Sequence, residues 1–269
     1  MAVSAIAIDV YSVSFVSCGK AFKTFRLYLL RFFMPLTLTP WHDPPSLPDL
    51  KPEEVHLWRF PLVCADSLEP LLDEQELQRA KRLRSPEKAR AFVVARARLR
   101  QILSGYLEME PQSLRFSYGP AGKPALVGLA DSPAFNLAHS GNWGVCAVVS
   151  RGEVGVDLET INPGLDYANL ARRFFSETEN QWLRACPEPR RLRCFYRIWT
   201  RKEAWLKGKG DGFSDPDQDI GPAHLAGSCT CDGNWWLRSF PLARHSLATL
   251  ALSQEFSLVQ RWDAWPLSG

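Results

Sequence analysis

Residues 155–159 read Gly155-Val156-Asp157-Leu158-Glu159, and this stretch predicts the strand around which the rest of the chain is organised. Apolar and polar residues alternate along it, starting at Val154. On a strand of period two the apolar side chains share one face and both carboxylates share the other. Neighbouring acids repel unless a cation lies between them, and Mg²⁺ binds through one or two carboxylates plus substrate phosphates. A strand end with two solvated acids has the same pattern, so spacing alone leaves a metal site open.

Composition limits the class of protein. With 269 residues and 46% hydrophobic content, the chain can bury a core in one large or two small domains. The net charge of +3 is too small to indicate nucleic acid as the main partner. Seven cysteines, an odd number without Cys-x-x-Cys spacing, favour a reducing compartment, so we expect a cytoplasmic protein with free thiols.

The N-terminal segment differs from the rest of the chain. Residues 1–33 are apolar and then basic, without a cleavage site or a run of ~18 apolar residues, so we expect neither a signal peptide nor a membrane span. The composition shift supports the hypothesis that Met34 is the biological start. The proline-rich stretch 41–52 predicts an extended surface arm. We therefore assign residues 1–54 to an N-terminal extension and arm.

The remaining chain predicts an α+β fold made of two halves, residues 55–152 and 153–265. Each half has short strands with helix-bearing inserts, beginning with a strand at Val55 and ending with strands at 235–240 and 246–252. A pseudo-duplicated chain of this kind suits a site in the cleft between its halves.

Two helices are predicted in the first half. One spans 74–83, and the other starts at the N-cap Ser85, has Pro86 at its first position and ends near Gly105. Residues 79–100 carry one acid, Glu87, against nine basic residues: Arg79, Lys81, Arg82, Arg84, Lys88, Arg90, Arg96, Arg98 and Arg100. Such a surface repels itself unless an anion or an acidic neighbour binds it, although a solvated basic face is the simpler interpretation.

The second half has two further helix signals. Ser176 and Glu179 have capping-box spacing, which gives Glu179 a structural role without chemistry. Along 194–207, Phe195, Trp199, Glu203 and Lys207 follow at intervals of four and share one face. An ordinary Glu–Lys surface pair would look the same, but flanking tryptophans make full exposure of the glutamate less expected.

Three stretches in this order resemble the 4′-phosphopantetheinyl transferase superfamily, in its monomeric, two-half Sfp-type branch. They are Phe135-Asn-Leu-Ala-His-Ser, Gly155-Val-Asp-Leu-Glu and Trp199-Thr-Arg-Lys-Glu-Ala-Trp-Leu-Lys, with Gly122-Lys-Pro before them and Arg172-Arg-Phe-Phe-Ser between. The similarity runs from about residue 76 to 257. It implies transfer of the phosphopantetheine arm of coenzyme A to a serine of an acyl or peptidyl carrier protein, with release of adenosine 3′,5′-bisphosphate.

The resemblance also implies roles for individual residues. Mg²⁺ would be held by Asp157, Glu159 and Glu203, and the coenzyme A pyrophosphate would contact Lys207. The nucleotide end would be bound by Lys123, His139, Arg90 and Arg79. Glu179 matches a glutamate proposed as the base for the carrier serine, so it is helix cap, catalyst or both.

One departure and one surface complete the resemblance. Asn162 stands where some relatives have a lysine near the metal strand. By analogy with the family, carrier docking would use the short helix at 168–175. The carrier's pathway, whether fatty acid, polyketide or nonribosomal peptide synthesis, stays open.

Two alternatives stand beside the transferase. One is a non-catalytic module that binds a nucleotide or polyanion through the basic helix. The other is a Mg²⁺-dependent phosphohydrolase with the same acids and water as nucleophile.

Overall fold

The computed structural model describes residues 37–44, 48–63, 67–129, 131–211, 220 and 235–264, which belong to one compact unit beginning at position 36. The predictions made for residues 1–33 lie outside the described residues. No helix in the described ranges combines the length and apolar character that crossing a bilayer requires.

The elements mix helices and short strands, which confirms the α+β class. The strands are β1 (Thr37–His42), β2 (Glu54–Pro61), β3 (Phe116–Tyr118), β4 (Pro124–Leu126), β5 (Ala134–Ser140), β6 (Trp143–Val149), β7 (Val154–Thr160), β8 (Trp236–Phe240), β9 (Ser246–Leu252) and β10 (Leu258–Asp263). The helices are α1 (Glu74–Lys81), α2 (Pro86–Leu107), α3 (Tyr167–Phe174), α4 (Glu177–Ala185) and α5 (Glu188–Lys209).

A five-stranded sheet has the order β1-β10-β2-β6-β5. Strand β10 lies between β1 and β2 and is parallel to both, whereas β2, β6 and β5 are antiparallel neighbours. Trp41, at the start of the predicted surface arm, is therefore part of an edge strand. Strand β10 was not predicted, and it brings residues 258–263 into the sheet of the first half.

A second, three-stranded antiparallel sheet has the order β7-β9-β8 and packs against α5. One apolar cluster contains buried residues of both sheets, among them Val55 of β2, Val156 of β7 and Leu250 of β9. Strands β5 and β7 lie against each other where the two sheets meet. The side chain of Asn136 bridges them, because its Oδ1 accepts a hydrogen bond of 2.8 Å from the backbone N–H of Val156.

Two arginines of the basic helix pair with acidic residues at the start of α1. Ser85 caps α2 as predicted, and Arg96 and Arg100 on that helix are buried. The carboxylate of Glu76 accepts hydrogen bonds from Arg96 Nε (2.5 Å) and Arg100 Nε (2.7 Å), and Asp73 accepts another from Arg100. These two arginines therefore hold α1 against α2.

Candidate active site

The polar face of β7 is covered by α5. Val154, Val156 and Leu158 are at most 2% exposed on the opposite face, which confirms the predicted alternation. A Cβ added to Gly155 would lie 1.9 Å from the carbonyl oxygen of Ala204. Only a residue without a side chain permits this approach of strand and helix, and the approach brings Glu203 and Lys207 over the acids of β7.

Asp157 and Lys207 form a direct ion pair. Lys207 Nζ donates to Asp157 Oδ1 at 2.5 Å, and the side chain of Asp157 is only 6% exposed. The second oxygen, Oδ2, is buried and has no hydrogen-bond partner within the described ranges. A buried carboxylate oxygen without a partner is costly, so this atom is open to a further cation or donor.

Glu159 and Glu203 share the electrostatic field of Asp157. Burial, followed by the charge of Asp157, raises the pKa of Glu159 to about 7, with a smaller contribution from Glu203. Burial raises the pKa of Glu203, and Asp157 adds to that effect while Lys207 opposes it. Burial would lower the pKa of Lys207, but the carboxylates of Asp157, Glu203 and Glu159 outweigh it and raise that pKa above its ordinary value.

The donor set fits a hard divalent cation. Three carboxylates face one ammonium, so the cluster keeps an excess of negative charge when all groups are ionised. Carboxylate oxygens are the ligands that Mg²⁺ prefers, and Asp157 Oδ2 is without a partner. No three His, Cys, Asp or Glu side chains in the described part of the chain are already arranged as a metal cluster.

The end of β5 adds His139 and Ser140 to the cleft. Partial burial, and then the nearby ammonium of Lys207, lowers the pKa of His139, which favours a neutral imidazole. Ser140 Oγ donates to Glu159 Oε2 at 3.1 Å and accepts from the backbone N–H of Thr160 at 3.0 Å. The sequence analysis gave Ser140 no role beyond its place in the motif Phe135-Asn-Leu-Ala-His-Ser, although its position beside His139 was the available signal for a positioning role.

Lys123 reaches the same region from the β3–β4 turn. Its Nζ donates to the carbonyl oxygen of Gly208 at 2.7 Å and to Glu153 Oε2 at 3.0 Å. Gly208 follows Lys207 directly, so Lys123 lies at the C-terminal end of α5.

Arg79 and Arg90 line different cavities. Arg79 lines one of about 520 Å³ together with Tyr118, and Arg90 lines another of about 570 Å³ together with Asn142. Arg90 is largely exposed and lies 3.9 Å from Glu87. The structure therefore does not gather these two arginines into one subsite.

Glu179 is fully buried. Its Oε2 accepts hydrogen bonds from the backbone N–H of Ser176 (2.8 Å) and from Lys202 Nζ (3.0 Å), and its own N–H donates to Ser176 Oγ (3.1 Å). Both bonds of the predicted capping box are thus present. The base role remains a prediction, and a carboxylate with no exposed surface would need to change its contacts to fulfil it.

The two remaining expectations concern the surface. Asn162 is exposed, and it closes a local turn by accepting a hydrogen bond from Gly164. The apolar side chains of α3, among them Leu170 and Phe174, pack against the core cluster beneath α5. Carrier docking at α3 therefore remains a prediction.

Comparison of the sequence with known proteins identifies the family of the chain. A family model described as the 4′-phosphopantetheinyl transferase superfamily matches residues 153–244, the segment that carries Asp157, Glu159, Glu203 and Lys207. The 4′-phosphopantetheinyl transferase HetI of Nostoc sp. strain PCC 7120 is 44% identical over 177 residues, covering 64% of this chain and 74% of HetI. The chain belongs to the 4′-phosphopantetheinyl transferase superfamily.

Two other members of the superfamily are also similar to this chain in sequence. A putative 4′-phosphopantetheinyl transferase of Synechocystis sp. is 39% identical over 179 residues, covering 64% of this chain and 73% of that protein. Sfp of Bacillus subtilis, also a 4′-phosphopantetheinyl transferase, is 31% identical over 145 residues, covering 54% of this chain and 63% of Sfp. The match to Sfp agrees with the Sfp-type branch.

Proposed function

We propose that this protein transfers the 4′-phosphopantetheine group of coenzyme A to a serine hydroxyl of an apo acyl or peptidyl carrier protein. The observation that carries the proposal is the meeting of Asp157 and Lys207 beside Glu159 and Glu203, within the segment that matches the superfamily. In the reaction, a bond forms between the serine oxygen and the β-phosphorus of coenzyme A. The bond from that phosphorus to the bridging oxygen breaks, and adenosine 3′,5′-bisphosphate leaves.

Asp157, Glu159 and Glu203 would hold Mg²⁺, which would neutralise pyrophosphate charge as the bond breaks. The raised pKa values of Glu159 and Glu203 and the unpartnered Oδ2 of Asp157 support this assignment. Ser140 orients Glu159 through its hydroxyl and so acts as a positioning residue.

The cationic and neutral groups of the cleft would bind the nucleotide. Lys207, kept protonated by its carboxylate neighbours, would contact the pyrophosphate and stabilise the charge of the leaving group. Lys123 and His139 would bind the nucleotide portion, with the imidazole neutral and able to donate one hydrogen bond. Arg79 and Arg90 would contact it only from separate cavities.

The serine must lose a proton, and Glu179 is the predicted acceptor. It could accept that proton only after its carboxylate leaves Lys202 or shares its second oxygen with the carrier serine. The structure supports the capping role directly, which makes a test that separates the two roles necessary.

The two alternatives receive less support. Polyanion binding by the basic helix has less support because two of its arginines, Arg96 and Arg100, already pair with Glu76. A phosphohydrolase would use the same acids, but the relatives compared are 4′-phosphopantetheinyl transferases by name.

The deciding experiment mixes the protein with Mg²⁺, coenzyme A and apo carriers from fatty acid, polyketide and nonribosomal peptide systems. Intact-protein mass spectrometry should show one carrier gaining a single phosphopantetheine arm, and the Asp157→Asn protein should not produce it. Failure with every carrier would count against the transferase. Steady consumption of coenzyme A without carrier would instead identify the phosphohydrolase.

We also propose how the chain is arranged and where it acts. Residues 55–152 and 153–265 form the two halves, with β10 returning to the sheet of the first, and residues 1–54 form the extension. A cytoplasmic location is supported by the free thiols of Cys146, Cys186 and Cys194. We propose a monomer that binds neither nucleic acid nor membrane, which size-exclusion chromatography with light scattering and a vesicle sedimentation assay would test.

A further inference from the structure

Helix α5 carries a second set of charged residues on another face. Arg190, Arg193, Arg197 and Arg201 follow at spacings of three, four and four, which places them in one row along the helix. At 100° per residue, this row lies about a third of a turn from Glu203 and Lys207. The row is therefore separate from the carboxylate cluster.

This row forms one wall of a cavity of about 730 Å³ between α5 and β8. We call it the arginine groove. Its lining includes five arginines, four apolar residues and two other residues: Arg190, Arg193, Arg197, Arg201, Arg238, Pro189, Phe240, Pro241, Leu247, Cys194 and Ser239. Among the described residues that line it there is no Asp or Glu.

The base of the groove is held rigidly. Arg201 is 1% exposed, and its Nε donates to Ser239 Oγ at 3.0 Å. That hydroxyl lies 2.9 Å from Thr249 Oγ1, which in turn lies 2.8 Å from Thr200 Oγ1. A chain of hydroxyl groups running from β8 through β9 back to α5 thus fixes the guanidinium at the bottom of the cavity.

Arg238 faces the row from β8. Its Nε is buried and has no hydrogen-bond partner in the part of the chain that the structure describes. Burial lowers the pKa of Arg197, and the charge of Arg238 adds to that effect, although neighbouring cysteines oppose it. The like charges of the two guanidinium groups therefore act on each other within the groove, and a bound anion would relieve this repulsion.

We propose that the arginine groove binds a small ligand carrying at least two phosphoryl groups, at a site distinct from the proposed coenzyme A site. Planar guanidinium groups match phosphate oxygens in a bidentate manner, which favours phosphate over a monovalent anion. The cavity volume lies in the ~300–1,000 Å³ range of small-molecule sites. Phe240 and Leu247 supply an apolar wall for an organic portion of the ligand. Arginines from α5 and from β8 line the same cavity, which favours a small ligand over an extended acidic protein surface.

Inorganic pyrophosphate is the ligand for the test, titrated calorimetrically into the full chain in the presence of saturating coenzyme A and absence of carrier. Arg193→Gln/Arg238→Gln should weaken binding at least tenfold. The matched control is Arg172→Gln/Arg173→Gln, which removes two exposed arginines of α3 outside the groove and should leave binding unchanged. Arg193→Gln alone, at an exposed position, gives a second variant that does not disturb the interior.

Hydrogen exchange locates the site. Pyrophosphate should protect peptides covering 189–201 and 236–247 and leave 155–160 unchanged. Equal affinity in the groove variants and the wild type would overturn the proposal, as would protection confined to 155–160. Tighter binding of a polyglutamate peptide than of pyrophosphate, lost in the same variants, would also overturn it and identify an acidic protein segment as the occupant.

Discussion

Lys207 Nζ lies 2.5 Å from Asp157 Oδ1, although the two residues are 50 positions apart in the chain. The contact joins the last turn of α5 to the middle of β7 and balances one carboxylate of a cluster of three. An ammonium and a divalent cation compete for the same acid, so a metal on Asp157 would leave Lys207 available for a phosphate. The pair therefore links metal binding to nucleotide binding in the proposed reaction.

Asp157→Asn tests the role of that carboxylate. Mg²⁺ should raise the melting temperature of the wild-type protein but not of the variant, because a ligand that binds only the folded state stabilises it. We expect carrier modification to fall at least ~100-fold, since the substitution removes a proposed metal ligand. Thermal unfolding with and without MgCl₂, together with the carrier mass assay, gives both results.

The control is Asp211→Asn, which removes the carboxylate of a more exposed pair with Lys209. It should keep the full response to Mg²⁺. An Asp157→Asn protein that also kept the response and its turnover would remove Asp157 from the metal site.

Gly155→Ala tests the close approach of β7 and α5. The new methyl group would lie 1.9 Å from Ala204 O and 2.4 Å from Gly208 N, both backbone atoms, so strand and helix must separate. Overpacking typically costs about 1–3 kcal/mol, and here the shift also moves the acids away from Lys207. The free energy of unfolding, measured with a denaturant, and the turnover should both decrease.

The matched control for this change is Gly105→Ala. In α2 the added methyl group makes only ordinary contacts, at 3.7 Å from Pro48. Alanine is favoured over glycine in a helix by about 1 kcal/mol, so this variant should be stabilised. Unaltered activity and stability in Gly155→Ala would show that the strand and helix are not tightly packed.

Glu179→Gln tests whether Glu179 acts as base or as structural partner of Lys202. Glutamine keeps the capping bond to Ser176, but the buried ammonium loses its carboxylate. Breaking one side of a buried pair costs about 3–5 kcal/mol. We therefore expect a clear loss in the free energy of unfolding, whatever happens to turnover.

The double variant Glu179→Gln/Lys202→Met separates the two roles, because an apolar side chain removes the uncompensated charge and should recover most of the lost stability. If Glu179 is the base, the stable double variant keeps a strongly reduced turnover, and the pH–rate profile of that residual activity lacks the acid limb. Recovery of turnover together with stability would show that Glu179 serves the fold alone.

His56 makes stability depend on pH. Burial, with a smaller effect of Lys51, lowers its pKa to about 3, and the Tyr106 hydroxyl lies 2.8 Å from its Nδ1. Below pH ~6.5 the unfolded chain binds a proton at His56 that the folded protein does not bind. The contribution of His56 to the free energy of unfolding is therefore fully present above that pH and is lost progressively as the pH falls. The contribution reaches at most about 1.4 kcal/mol per pH unit. Urea unfolding between pH 7 and 5 should show a smaller decline for His56→Gln, with His42→Gln as the exposed control; equal slopes in all three proteins would contradict this.

Local pattern predicted the elements that local forces control. The alternation of β7 follows from side-chain geometry alone, and Ser85 with Pro86 marked the start of α2 because capping involves neighbours in sequence. The capping box at Ser176 and Glu179 was readable for the same reason.

Contacts between distant residues were beyond these patterns. Nothing in the spacing of Arg96 and Arg100 shows that Glu76 would face them across a helix interface. The family resemblance grouped Asp157 with Lys207, but the fold alone supplied their contact. It also grouped Arg79 with Arg90, which the fold places in separate cavities. The row of arginines on α5 was visible as a spacing of three and four, and only the structure shows the cavity that it lines.

The position of β10 bears on how the chain is made. Leu258–Asp263 pairs with β2 some 200 residues earlier, with Asp263 in register with Arg59. While the ribosome is still synthesising the intervening chain, β2 has no partner along that edge. The large sheet can therefore be completed only after residues 258–263 have been synthesised, and its assembly is governed by slow, non-local pairing.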